Sequence, residues 1–221
     1  MMPIKRQKLI IAVHGILTGE TSAAWQDRFK HFVWLRGVGA CGGGVDVQNR
    51  EYKAGPFPMW NVFVKNHFLA SALADFVLDY AEDGADISFL AHSNGADVAL
   101  KTIKALAREN LATRALVCIA GAIQSDVMRT GIADLIHDGK LGRAVAYCSH
   151  SDEALRLAAI WPYGHLGRDG FTSSDADHTA VLFDSGSITT RFYPDFGHST
   201  YFDADHEKQT FDQAVKDCCY L

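Results

Sequence analysis

The sequence predicts an α/β protein, with a mainly parallel sheet of about six strands and helices on both faces. Three observations predict it. Short continuous apolar runs recur along the chain, and stretches with a helical apolar period lie between them. A length of 221 residues at 48% hydrophobic content suffices for one sizeable core. Strands alternating with helices imply βαβ units, and their crossovers lay helices on both faces of a parallel sheet. One domain over residues 1–221 is expected, since no internal repeat or low-complexity linker divides the chain.

Leu9–Val13 is the first apolar run, as expected of a central strand buried on both faces. Trp25–Leu35 is helix-like, and Val45–Tyr52 is a second strand. The loop Ala54-Gly-Pro-Phe-Pro cannot be regular structure. Asn61–Ala81 reads as a long helix. Phe63, Leu69, Leu73, Phe76, Val77 and Tyr80 fall near a 3.6-residue period, interrupted by the polar Asn66. Ile87–Ala91 is a strand, and Gly95–Glu109 a helix with Val98, Leu100, Ile103, Leu106 and Ala107 as its apolar positions. Ala115–Ala120 is a strand, and Val127–His137 a helix ending near Gly139. Ala144–Cys148 is a strand and Asp152–Ile160 a helix. Ala180–Phe183 and Ile188–Tyr193 are both strand-like around an Asp-Ser-Gly turn, and which of them joins the main sheet stays open. Asp205–Cys218 is a final amphipathic helix.

Residues 86–95 read Asp-Ile-Ser-Phe-Leu-Ala-His-Ser-Asn-Gly. This is close to the G-x-S-x-G elbow, with Ala91 in place of the first glycine. Such a tight strand-to-helix turn lifts a serine out of the packing, and only small neighbours leave room for it. Ser93 is therefore the candidate nucleophile. A serine hydroxyl needs a base, and the base needs an orienting group. On sheets of this kind catalytic loops follow the carboxyl ends of strands, in the order nucleophile, acid, histidine. Of the downstream histidines His137, His150, His165, His178, His198 and His206, His198 fits best. It lies in Asp-Phe-Gly-His-Ser-Thr, after the last strand-like segment and before the final helix. His206 is expected to face solvent. Asp152 follows the strand ending in Tyr-Cys and is the candidate acid; it also suits an N-cap, and the two roles are compatible. Asp126 and Asp184 are alternatives.

Oxyanion donors are expected from backbone N–H groups. The amide of Asn94, at the start of a helix, is one. The other is the amide of Ile16 in Val13-His14-Gly15-Ile16, where His14 is expected to orient the loop. Phe57, Met59 and Trp60 follow the second strand on the edge that bears Ser93, and are candidates to line an acyl pocket. The loop Trp161–Phe171 emerges at the same edge.

With these residues in hand, the chain resembles the α/β-hydrolase superfamily of serine esterases and lipases. The carriers are Val-His-Gly-Ile at 13–16, Ala-His-Ser-Asn-Gly at 91–95, Ser-His-Ser-Asp at 149–152 and Gly-His-Ser at 197–199. The resemblance runs from residue 8 to about residue 217. Ser-x-x-Asp-x-Ala-Leu and Gly-His-Ser-x-Tyr-Phe are also similar to a little-characterised bacterial branch with a minimal core. Only a few residues precede the first strand, so the first two strands usual in the family are not expected, nor is a large lid. The resemblance implies hydrolysis of carboxylic esters through an acyl-enzyme, with a small-molecule ester or lipid as substrate. Thioesterase, amidase, lipase and acyltransferase activities would use the same three residues, and a non-catalytic binding scaffold is the reading from another class.

A net charge of -5 supplies no basic footprint for nucleic acid or an anionic membrane. Gly37-Val-Gly39-Ala-Cys-Gly42 matches G-x-G-x-x-G but precedes a strand, so it reads as a flexible loop. No cofactor and no metal are expected. The apolar run before His14 is too short for a secretory signal, and no stretch is long enough to span a membrane. Cys41, Cys118, Cys148, Cys218 and Cys219 are expected as free thiols. Together these point to a cytoplasmic protein, with the oligomeric state open.

Overall fold

The computed structural model describes residues 8–15, 20–40, 45–50, 60–80, 85–157 and 164–219. Among them run β1 (Lys8–Val13), α1 (Glu20–Ala40), β2 (Val45–Arg50), α2 (Trp60–Tyr80), β3 (Asp86–His92) and α3 (Gly95–Arg108). There follow β4 (Thr113–Ile119), α4 (Val127–Thr130), α5 (Ile132–His137), β5 (Leu141–Cys148) and α6 (Glu153–Leu157). The rest is α7 (Leu166–Asp169), α8 (Ala176–Asp184), β6 (Ile188–Phe192), a 3₁₀ turn at Thr200–Phe202 and α9 (Glu207–Cys219).

The strands form a six-stranded sheet in the order β2-β1-β3-β4-β5-β6, and every pairing is parallel. The predicted fold class is therefore the observed one. Alternation within each strand divides the core in two. Leu9, Ile11, Val13, Phe89 and Ala91 face the layer of α2 and α3. Ile10, Ala12, Leu90, Val117 and Tyr147 face Trp25 and Phe29 of α1 and Phe211 of α9. Each fully buried large apolar side chain contributes about 1.5–3 kcal/mol, so burial on both faces holds the central strands and explains their continuous apolar runs.

The chain passes from β1 outward to β2, then returns across β1 to β3. The order reverses there, so the loops after β1 and β3 leave the same edge in opposite directions and open a crevice between them. His14 and Gly15 follow β1, and Ser93 follows β3.

Several expectations are corrected. Ala180–Phe183 is helical, within α8. Asp175 caps that helix, accepting from the His178 N–H at 3.0 Å, while Thr179 and Leu182 supply its buried side. A four-residue apolar run does not distinguish strand from helix. Only Ile188–Phe192 joins the sheet. The predicted helix Val127–His137 breaks at Gly131, whose φ of 71° ends α4. Gly37–Ala40 continues α1 and is not loop; Cys41–Gly44 lies outside the described residues. Cys118, Cys148 and Cys218 are buried free thiols, but Cys219 is disulfide-bonded. That bond removes the argument from free thiols for a reducing compartment. Among the described residues no helix is long and apolar enough to cross a membrane.

Candidate active site

Ser93 stands at the end of β3 with a φ of 55°. A non-glycine residue in this region costs of order 1–3 kcal/mol and persists only where its surroundings hold it there. Here the surroundings are backbone. The Ser93 N–H donates to Ile119 O at 3.1 Å, and Ser93 O accepts from Ala96 and Ala122 at 3.1 and 3.0 Å. The glycines explain the crowding. A Cβ on Gly95 would stand 2.5 Å from Val13 O, and one on Gly15 would stand 2.6 Å from the Ser93 Cβ. Ala91 is wholly buried within β3 and lacks the positive φ that would require glycine, so alanine serves there.

Asn94 follows at the N-cap of α3 and is buried. Its N–H has no hydrogen-bond partner among the described residues. Its side chain pairs amide to amide with Asn66 of α2, both bonds being 3.2 Å, and Asn66 also donates to Asp97 at 2.6 Å. The polar interruption in the apolar stripe of α2 is thus a clasp on the turn. The signal available in the sequence was its polarity within that stripe. His14 is buried, and its Nδ1 accepts from the Gly15 N–H. That occupies the Gly15 amide. Ile16, Phe57 and Met59 lie outside the described residues, as does the side chain of Trp60, which begins α2.

Asp152 and His198 come together although 46 residues separate them. His198 Nδ1 is 2.8 Å from Asp152 Oδ2, and the Asp152 side chain is completely buried. The other carboxylate oxygen accepts from the Leu155 N–H at 2.9 Å, so Asp152 also caps α6. Ser151 Oγ donates to Pro194 O at 2.6 Å and Ser149 Oγ to the same oxygen at 3.4 Å, so both serines of Ser-His-Ser-Asp hold the His198 loop. Gly197 and Thr200 tighten it further, the Gly197 N–H donating to Thr200 Oγ1 at 3.0 Å. From the elbow side, the ring of His92 lies 4.9 Å from that of His198.

The other candidates sit elsewhere. Asp126 caps α4 through the Met128 N–H, and Asp184 ends α8. The rings of His137 and His178 lie 5.2 Å apart, that of His150 stacks on Phe192, and His165 Nδ1 is 3.5 Å from Asp169. His206 is half-buried with its ring 4.5 Å from that of Phe196, where exposure to solvent was expected. Of the loop Trp161–Phe171, the part from Gly164 pairs with the segment after β4: Leu166 donates to Ile123 O and Gly167 to Gly121 O. Burial pushes the Cys118 thiol up to about 12, which leaves it a poor nucleophile.

Ser93 with its positive φ and the paired Asp152 and His198 each follow the carboxyl end of a strand of the parallel sheet. A family model described as an alpha/beta hydrolase of unknown function (DUF900) matches residues 65–168. Three solved structures share the fold. An uncharacterized protein from Bacillus cereus is 16% identical, with a TM-score of 0.59, over 96% of this chain and 59% of that one. A hyperthermophilic esterase from the archaeon Pyrobaculum calidifontis is 13% identical, with a TM-score of 0.57, over 98% and 75%. A thioesterase from the prodiginine biosynthetic pathway of Streptomyces coelicolor is 14% identical, with a TM-score of 0.50, over 98% and 90%. The chain thus spans less than two thirds of the Bacillus cereus protein. No curated protein sequence matches it. The chain thus has the α/β-hydrolase fold, and residues 65–168 are similar to that family of alpha/beta hydrolases.

Proposed function

We propose that the protein is a serine hydrolase that cleaves carboxylic esters of small molecules, within one α/β-hydrolase domain. Ser93 attacks the carbonyl. His198 takes the serine proton and returns it to the leaving alcohol, and Asp152 orients His198 and stabilises its charged form. The Asn94 amide stabilises the oxyanion, aided by the amide of Ile16. Water then releases the acid from the acyl-enzyme. Phe57, Met59 and Trp60 are proposed for the acyl pocket.

The observation that carries this reading is the 2.8 Å contact between His198 Nδ1 and the buried Asp152 carboxylate. A carboxylate removed from water is costly unless paired, and here its partner is an imidazole on the loop against the elbow. The test is hydrolysis of nitrophenyl esters together with labelling by a fluorophosphonate. Wild type is expected to hydrolyse and to be labelled at Ser93. Ser93→Ala is expected to lose both, by at least about 10⁴-fold in kcat, with an unchanged unfolding midpoint. A retained rate sinks the assignment. The thioesterase among the structural neighbours favours a second substrate class on the same residues. Comparing kcat/KM for an ester and a thioester of the same acyl group decides between them.

A further inference from the structure

The histidine between Ala91 and Ser93 has no part in the chemistry above, yet it is buried against it. His92 ends β3, is 3% exposed and points to the α1/α9 side of the sheet. The ring of Phe202 lies 5.0 Å away, edge to face, that of His14 at 5.4 Å and that of Trp25 at 6.4 Å. Its Nε2 is 3.0 Å from the backbone oxygen of His198. A carbonyl only accepts, so Nε2 carries the proton and Nδ1 is bare. That Nδ1 is buried with no partner among the described residues. A phenylalanine would fill this slot without stranding a polar nitrogen, whose burial is costly. Among the described residues the imidazole has one polar partner, the main chain of His198.

We propose that His92 is a positioning residue: its N–H holds the backbone of His198, so that the His198 ring is aimed between Asp152 and Ser93. The inference rests on the serine-hydrolase reading. His198 is then held at two points. Asp152 grips Nδ1 of the ring, and His92 grips the carbonyl of the same residue. With both fixed, Nε2 of His198 is left to face the serine. One bond to the ring alone would let the loop swing about that contact. The clamp also suits the charge that forms in turnover. Burial, together with the neighbouring His198 and His14, keeps the His92 pKa well below the ordinary histidine value. A neutral His92 does not oppose the imidazolium that forms on His198.

The substitutions that isolate the bond are His92→Gln, His92→Asn and His92→Phe. A glutamine amide nitrogen reaches the position of Nε2, an asparagine amide nitrogen falls short of it, and phenylalanine fills the slot without a donor. With a nitrophenyl ester, Asn and Phe are expected to lower kcat about 10²-fold with KM within about twofold, as a misaimed base would. Gln is expected to stay within about fivefold of wild type. The downfield NMR signal of the His198 Nδ1–H is expected to survive in wild type and His92→Gln and to broaden away in His92→Asn. If Phe does not fold, Gln against Asn still decides. Equal kcat and equal proton signals in Gln and Asn overturn the proposal. If wild type neither hydrolyses esters nor labels with a fluorophosphonate, the hydrolase reading falls. The proton signal then decides alone whether His92 holds His198.

Discussion

The two halves of the site are held by different means. The Ser93 turn is fixed chiefly by backbone, through a positive φ, three main-chain hydrogen bonds and glycines that let β1 approach, with the Asn66–Asn94 side-chain pair as an added clasp. The His198 loop is fixed by side chains reaching main-chain oxygens, with Ser149 and Ser151 on Pro194 and His92 on His198 itself. Backbone fixing demands small residues at close spacing. Side-chain fixing draws on residues far apart in the chain.

The largest expected effect separates the cap that Asp152 forms on α6 from the role proposed for it at His198. Asp152→Asn keeps an oxygen to accept the Leu155 N–H, so α6 stays capped, while the His198 tautomer is no longer held. Ester hydrolysis should fall by about 10⁴-fold with the urea midpoint nearly unchanged. Asp152→Ala should lose as much activity and about 1 kcal/mol of stability besides. If Asp152→Asn retains full activity, the carboxylate is only a cap.

The next effect tests backbone fixing. Gly15→Ala puts a methyl 2.6 Å from the Ser93 Cβ and 3.0 Å from its Oγ, so the serine is what must move. A misplacement of about 1 Å can cost about 10²-fold in rate. Gly95→Ala instead drives a methyl against Val13 O and His14 O, which are backbone and cannot yield cheaply. Its expected signature is a loss of about 1–3 kcal/mol in chemical unfolding. A wild-type rate in Gly15→Ala together with wild-type stability in Gly95→Ala would contradict the crowding.

This division also explains what could be read beforehand. Ala91, Ser93 and Gly95 are neighbours in sequence because the turn is local, so the elbow was legible. The meeting of Asp152 and His198 could be expected because each follows a strand, although the strand-like run Ala180–Phe183 is a helix. Asn66, His92 and Ser151 were not legible as parts of the site. Their partners Asn94, His198 and Pro194 lie 28, 106 and 43 positions away. Beyond the polarity of Asn66 within an apolar stripe, nothing local in the chain marks such a contact. The central strands were easy for a related reason, since burial on both faces leaves continuous apolar runs, whereas α8 offered only four apolar residues in a row.

Protonation offers a smaller, graded test of the side-chain half. His92 in the folded protein has a pKa well below the usual 6.5, held there by burial and then by the His198 and His14 rings. The unfolded chain therefore binds the proton first as pH falls. The stabilisation is complete above about pH 6.5 and is lost below it, by at most about 1.4 kcal/mol per pH unit for this one group. His92→Gln cannot titrate. Urea midpoints measured between pH 7.5 and 5 should fall less steeply in that variant than in wild type. Parallel slopes would mean that the buried imidazole is not what acid unfolding reads.

The smallest effect belongs to Ser151. Its side chain is exposed, and a single hydroxyl bond to Pro194 O contributes about 0.5–1.5 kcal/mol at most. Ser149, wholly buried, holds the same oxygen at 3.4 Å and also accepts from the Ser151 N–H at 3.2 Å. Ser151→Ala should therefore lower kcat only a few-fold and leave the unfolding midpoint nearly unmoved, because its neighbour still holds the loop. Removing both hydroxyls leaves Pro194 O without either side-chain donor, and the loss should exceed the sum of the two single losses. Strict additivity would mean that the two serines act on the loop independently of each other.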